Sequence, residues 1–191
     1  VSRKLTVVYD ACVLYSNHLR DVLMQLATTG LFRAKWTEQI HDEWTRNLLA
    51  NRPDIDSNKL RILRQVMNLA VPDCLVTEFD AVVPALNLPD PNDRHVLAAA
   101  IIAKADRIIT VNLKDFPADT LSSYGIEAQH PDSFIAELIN LEPWRVRAAM
   151  QTIQKRFKNP PMSFDGYMEV LMQQGLTTSV STLRQLQGEG N

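Results

Sequence analysis

Cysteine, glycine and aromatic residues are all scarce in this chain of 191 residues, which has 2 Cys, 6 Gly and 7% Phe, Trp and Tyr. So few glycines exclude a collagen-like or glycine-rich fibrous chain. Two isolated cysteines, Cys12 and Cys74, without a CxxC pair or a histidine at ligand spacing, exclude a disulfide framework and argue against a zinc site. Both read as core residues in apolar, strand-like surroundings. Long apolar runs are also missing. The longest, Val96 to Ala103, is eight residues, against the ~18 needed to cross a bilayer. With no charged-then-apolar leader pattern either, the expectation is a cytoplasmic protein. Nor is there an excess of positive charge: 20 Lys and Arg stand against 22 Asp and Glu, net -2. Any binding to a polyanion would therefore rest on a local basic patch or on metal ions. GxxxxGK[ST] and GxGxxG are absent, which removes the main support for phosphate-loop nucleotide hydrolysis and for dinucleotide binding. The four histidines, His18, His41, His95 and His130, form no HExxH or paired motif, although His41 and His95 lie close to acidic residues that could contact substrate.

What is present is an ordinary folded composition, 46% hydrophobic, long enough for one self-sufficient core. Leu5 to Tyr9 is short, apolar and β-branched and predicts a buried strand ending at Asp10. Leu19, Val22, Leu23 and Leu26 have helical spacing, with Gly30 as the stop. Thr37 can cap a helix through Ile40, Trp44 and Leu48, and Asp56 or Ser57 another through Leu60, Leu63 and Met67. Further strands are predicted at Cys74 to Thr77, Ile108 to Val111 and Ile126 to Gln129. The segment Asp90-Pro91-Asn92-Asp93 is a strong helix start. Alternating strands and helices predict an α/β domain, three layers deep (α/β/α) with a mostly parallel sheet, over residues 1–140. Beyond Pro131 the strand signal disappears. Helical patterns at Phe134 to Leu141, Trp144 to Phe157 and Phe164 to Met172 make residues 141–191 an all-helical C-terminal extension.

Four acids stand out by position. Asp10 follows the first strand at its carboxyl end, where open α/β sheets gather ligands, and Asp115 falls at the same edge if the strands are parallel. Glu43 sits on the inward stripe of its helix, and Asp93 shares a face with Leu97, Ala100 and Ile101. Each has an ordinary alternative: Asp10 and Asp93 as helix-start residues, Asp115 as a turn former. Four carboxylates converging at one edge, however, would repel each other and stay ionised only with a compensating cation. Hard oxygen ligands of this kind suit Mg²⁺ or Mn²⁺. Two neighbours read differently: Asp42 as a surface ion-pair residue opposite Arg46, and Asp90 as the helix cap.

The segments VVYDACVLYS, WTEQIHDEWTRNLL and above all DPNDRHVLAAAIIAKADRIITVNLKDFP resemble those of PIN-domain ribonucleases of the VapC toxin type, over about residues 4 to 140. The resemblance places the family's four acidic, catalytic and metal-binding positions on Asp10, Glu43, Asp93 and Asp115. It implies a supporting polar role for Thr110 and Asn112. Cys12 departs from the pattern, since many relatives carry Asn or Ser there, so that a hydrogen bond expected at this point is in question. The implied activity is a Mg²⁺- or Mn²⁺-dependent endoribonuclease, the toxin of a type II toxin-antitoxin pair. Its implied partners are an RNA substrate, a cognate antitoxin protein and a second copy in a homodimer. Two alternatives remain open: a non-catalytic RNA-binding or assembly module on the same fold, and a PIN nuclease of RNA maturation without an antitoxin.

The extension carries the apolar stripes Val146, Met150, Ile153, Phe157 and Phe164, Met168, Leu171, which either pack inward or receive a partner. Its net charge is +2 against -4 for residues 1–140. Arg145, Arg147, Lys155, Arg156 and Lys158 are candidates for RNA contact, or for an ordinary solvated face.

Overall fold

The computed structural model describes residues 3–188. Strand β1 (Thr6–Tyr9) is buried along its whole length. It lies at the centre of a parallel sheet between β2 (Arg33–Lys35) and β3 (Arg107–Ile109), and β4 (Glu127–Gln129) completes the order β2-β1-β3-β4. Val8 is in register with Lys35 on one side and Ile108 on the other, and Ile109 with Gln129. With all strands parallel, their carboxyl ends share one edge, which brings the loops after β1 and β3 together.

The helices follow from local signals. Ser16 caps α2 (Asn17–Ala27), which follows the short α1 (Ala11–Tyr15); Thr37 caps α3 (Glu38–Asn51) through Ile40; Asp56 caps α4 (Ser57–Ala70) through Asn58. Gly30, at φ +74°, turns the chain from α2 into β2, a backbone conformation costly for other residues. A 3₁₀ turn at Pro91–Asp93 leads into α5 (Arg94–Ile102), whose run from His95 to Ala100 is wholly buried and packs on β1 and β3. A second such turn, Leu113–Asp115, precedes α6 (Ala118–Ser122). Tyr9 stacks on Trp36 with centroids 6.0 Å apart and donates its hydroxyl to the Leu23 carbonyl, tying α2 to the sheet.

Three expectations about secondary structure are corrected. Cys74 to Thr77 is not a full strand. It touches the sheet edge by one parallel bridge, Leu75 to Trp36, because only the Trp36 N–H and carbonyl find partners there. Strand β2 was not foreseen: three residues with two charges carry too little apolar signal, and pairing with β1 selects the conformation. Nor was α10 (Thr177–Gly188), whose Thr- and Ser-rich start is a poor intrinsic helix former.

The extension consists of α7 (Pro131–Leu141), α8 (Pro143–Gln154), α9 (Phe164–Gln173) and α10. α8 stops short of Phe157, and it packs on α2 and α7, while α10 packs on α7 and α9. Val146, Met150 and Ile153, and Met168 and Leu171, are buried and belong to the same core as Val7, Leu23 and Ile108. The two stripes are therefore internal, and their reading as a partner surface is corrected: α8 packs on α2 and α7, and α9 on α8 and α10. The seam is also polar, with Arg145 donating to the Thr29 carbonyl, Arg156 to Gln25, and Ser16 to Gln174.

Asp132 locks α10 in place. Its carboxylate accepts the Thr178 N–H at 2.9 Å, the Ser179 N–H at 2.8 Å and the Ser179 hydroxyl at 2.7 Å. Burial alone would raise this carboxyl, but the Ser179 and Thr178 donors outweigh it and hold it below the usual range. Its contribution to stability is thus present above the ordinary Asp value of ~3.9 and disappears as pH falls through the lower folded value. Asp132→Ala is expected to lose about 2 kcal/mol at pH 7 and to lose much less near pH 3, as measured by denaturant unfolding at the two pH values.

Candidate active site

Asp10 follows β1 directly and is only 4% exposed. Its N–H donates to the Ile109 carbonyl at 3.1 Å, so the pairing of β1 with β3 continues to the site. The carboxylate accepts the Thr110 hydroxyl at 2.7 Å and the Cys12 thiol at 3.0 Å on the same oxygen, Oδ2. The fully buried Thr110 hydroxyl in turn accepts the Asn112 N–H at 3.0 Å. Asn112 thus enters this network through its backbone. Burial raises the Asp10 carboxyl above its usual value, the Cys12 and Thr110 donors oppose that, and the Glu43 charge adds to it.

Cys12 is corrected on two counts. It is not a plain core residue, being half-buried beside Asp10, and it supplies the hydrogen bond that was in question, with a thiol in place of an amide or hydroxyl. Burial, followed by the Asp10 charge, pushes the thiol up to about 12, so Cys12 remains protonated and acts as a donor. Its position two residues after Asp10, on the first turn of α1, was the available signal. Cys74 is buried as expected.

Glu43 projects from the middle of α3, beside the buried residues Ile40, His41, Trp44 and Thr45. The seating of α3 is fixed by a polar chain. Trp44 Nε1 donates to His41 Nδ1 at 3.0 Å, which leaves the His41 proton on Nε2 to bond Asn68 Oδ1 at 2.9 Å; Trp36 donates to that same oxygen at 2.8 Å. His41 is fully buried, its protonated form disfavoured by burial, and it has no access to a substrate. Asp42 is a surface residue, as expected, but its partner is Arg64 of α4 at 2.7 Å instead of Arg46. Behind the site, the buried Arg20 donates to the Leu14 carbonyl at 2.7 Å and lies 4.9 Å above the Trp44 ring, joining α1, α2 and α3.

Asp93 ends the 3₁₀ turn at the start of α5, and it makes no capping bond. Asp90 is the cap, accepting the Asn92 N–H at 2.8 Å. Burial is the first cause that lifts the Asp93 carboxyl to about 7, followed by the charges of Asp10, Asp90, Asp115 and Glu43. Three segments distant in sequence thus bring Asp10, Glu43 and Asp115 within electrostatic reach of Asp93, and Asp90 adds a carboxylate from its own segment. Glu43 and Asp93 line a cleft of about 540 Å³ with Arg46, Asn47, Asn92 and His95. Asp10 and Asp115 lie outside its walls, Asp115 half-buried at the end of its turn.

The donor set fits a divalent cation. Every converging group is a carboxylate, the ligand class of Mg²⁺ and Mn²⁺, and Asp93 bears the mark of negative charge without a counter-ion. Among the described residues no three His, Cys, Asp or Glu side chains stand close enough to form a closed cage. Mg²⁺ characteristically takes one or two carboxylates and keeps several waters, so a loose arrangement suits it.

A short parallel sheet flanked by helices, with Asp10 at its carboxyl edge held by the Thr110 and Cys12 donors, defines an α/β domain. The family profile described as "PIN domain" matches residues 6–114, and the chain belongs to that family. A second profile, "VapC50 C-terminal domain", matches residues 131–185, which include α7, α8 and α9 and most of α10. The chain is 38% identical over 82 residues to a protein of Mycobacterium tuberculosis (strain ATCC 25618 / H37Rv) named "Putative ribonuclease VapC50". That match spans 43% of this chain and 48% of the relative, about half the length of each.

Asp93 gives the clearest stability prediction. With its carboxyl near 7 when folded and ~3.9 when unfolded, the ionised form opposes folding. The penalty grows from about pH 4 to pH 7 and is complete above it. In chelator, Asp93→Asn is expected to stabilise the fold at pH 8 by about 1 kcal/mol, solvent screening having reduced the full linkage value, and to have no such benefit at pH 4. A lower melting temperature for the variant at pH 8 would assign Asp93 to the helix start instead.

Proposed function

We propose that the protein is a Mg²⁺- or Mn²⁺-dependent endoribonuclease, in which Asp10, Glu43, Asp93 and Asp115 hold the metal, and that it is the toxin of a type II toxin-antitoxin pair. The observation that carries this reading is Asp93, whose carboxyl is lifted to about 7 by burial first and then by the charges of Asp10, Asp90, Asp115 and Glu43 converging on it. Membership of the PIN family and the name of the mycobacterial relative support hydrolysis of RNA. A bound divalent cation supplies the Lewis acidity that acidifies water and neutralises charge developing on the phosphodiester. The chain's own groups do the rest. Thr110 and Cys12 orient Asp10 and oppose the rise that burial imposes on its carboxyl, with the Asn112 N–H holding the Thr110 hydroxyl in turn. Arg46 lines the cleft and presents positive charge to a phosphate.

Of the basic candidates on the extension, Lys155 and Lys158 are exposed and suit an RNA flank. Arg145 and Arg156 are engaged with the α2 segment and Arg147 lies 5.1 Å from the Phe164 ring, so their first role is packing. With the stripes of the extension buried, a better surface for an antitoxin peptide is α4. There Ile62, Val66 and Leu69 stand 51%, 54% and 83% exposed at helical spacing. A homodimer and a cytoplasmic location belong to the same reading. Among the described residues no helix is long and apolar enough to cross a membrane.

The test is cleavage of a panel of cellular RNAs with Mg²⁺ or Mn²⁺. Activity is expected to disappear in excess EDTA. Asp10→Asn, Glu43→Gln, Asp93→Asn and Asp115→Asn should each lower it at least ~100-fold, while Asp42→Asn, which loses only an exposed ion pair, should change it little. Robust cleavage in EDTA would overturn the mechanism.

A further inference from the structure

His95 lies on the first turn of α5, where the sequence suggested a substrate contact. The structure gives its ring another partner. The residue is 4% exposed, and its imidazole faces inward. Nε2 lies 3.1 Å from Oε2 of Glu43, across from α5 to α3, a separation of 52 residues in sequence. The other ring nitrogen, Nδ1, is buried and has no hydrogen-bond partner. This asymmetry decides the tautomer. A proton on Nδ1 would be a buried N–H with no acceptor, which costs more than a bare lone pair, so the proton sits on Nε2 and points at the Glu43 carboxylate. The Glu43 side chain is 25% exposed and opens on the cleft, whereas that of His95, at 5%, is closed behind it.

We propose that His95 is a positioning residue for Glu43: its Nε2–H fixes one carboxylate oxygen and leaves the other aimed into the cleft as a metal ligand. This inference rests on the metal-site reading above. Three features support it. Glu43 has no other hydrogen-bond or ion-pair partner among the described residues, and a Glu side chain without one samples several rotamers. The donor comes from the helix that also starts at Asp93, so one bond couples the positions of two carboxylates carried on different helices. A ligating carboxylate with an orienting hydrogen bond binds metal more tightly than a free one, and losing such a partner typically weakens affinity about 10–100-fold.

The test compares two polar replacements by Mn²⁺ titration calorimetry on the full chain, with thermal melts in chelator alongside. In His95→Gln the amide N–H₂ reaches approximately the position of Nε2; in His95→Asn it falls short of Glu43. His95→Asn is expected to bind Mn²⁺ at least ~10-fold more weakly than the unsubstituted protein, and His95→Gln within ~3-fold of it. Metal-free melting temperatures of the two variants should agree. In the Glu43→Gln background the Asn and Gln variants should no longer differ, since the effect passes through that carboxylate. Equal Mn²⁺ affinity for unsubstituted, Asn and Gln proteins would overturn the positioning role while leaving the metal site intact. Equal weakening of both variants with a matching fall in melting temperature would overturn it in favour of packing alone. Absence of Mn²⁺ binding by the unsubstituted protein would overturn the metal-site reading itself.

Discussion

Repulsion among carboxylates at the carboxyl edge of the sheet is the constraint around which the rest of this structure is arranged. Charge of one sign does not gather without a cost, and here it adds to burial, the larger cause, in holding the Asp93 carboxyl near 7. A fold that maximised its own metal-free stability would spread these acids apart. Instead the parallel pairing of β1 with β3 brings the segments after both strands to one edge, and α3 and the start of α5 close over it. The site is therefore held together by everything except itself.

Holding it requires that the supporting elements be fixed independently of the acids. Buried polar groups do much of this. The chain Trp44, His41, Asn68 and Trp36 locks α3 against α4 and the end of β2, while Arg20 joins α1 and α2 to the Trp44 ring. His41, Trp36 and Arg20 each reach a partner on another element, so these contacts specify a relative placement that apolar packing alone leaves looser. Asp10 itself is secured by Thr110 on the adjacent strand and Cys12 on the following helix. The thiol is a weaker donor than a hydroxyl or amide, yet it occupies the same place.

The C-terminal helices belong to this support. α8 covers α2, the helix whose Leu23 carbonyl receives the Tyr9 hydroxyl from the central strand, and α10 is pinned to α7 by Asp132. Their apolar residues join the core of the α/β part without a break. Among the described residues, an apolar stripe at helical spacing and open to solvent lies on α4.

Read alone, the sequence determined the α/β class, the strands at β1, β3 and β4 and most helix starts, and it pointed to the four acids proposed as metal ligands. Those features depend on signals carried by a few neighbouring residues: apolar period, capping side chains and carboxylates next to strand ends. The tertiary structure alone decided the rest. β2 exists because β1 is beside it, and Cys74 to Thr77 fails as a strand because only one residue across the edge offers partners. α10 overcomes a weak local preference because Asp132 supplies its first-turn N–H groups with an acceptor 46 and 47 residues away in sequence. The identity of the Asp42 partner and the bond from His95 to Glu43 are decided in the same way, by elements packed together from distant parts of the chain. Pattern within one helix reports which way a side chain faces, whereas what it meets there depends on the long-range packing that only the folded chain creates.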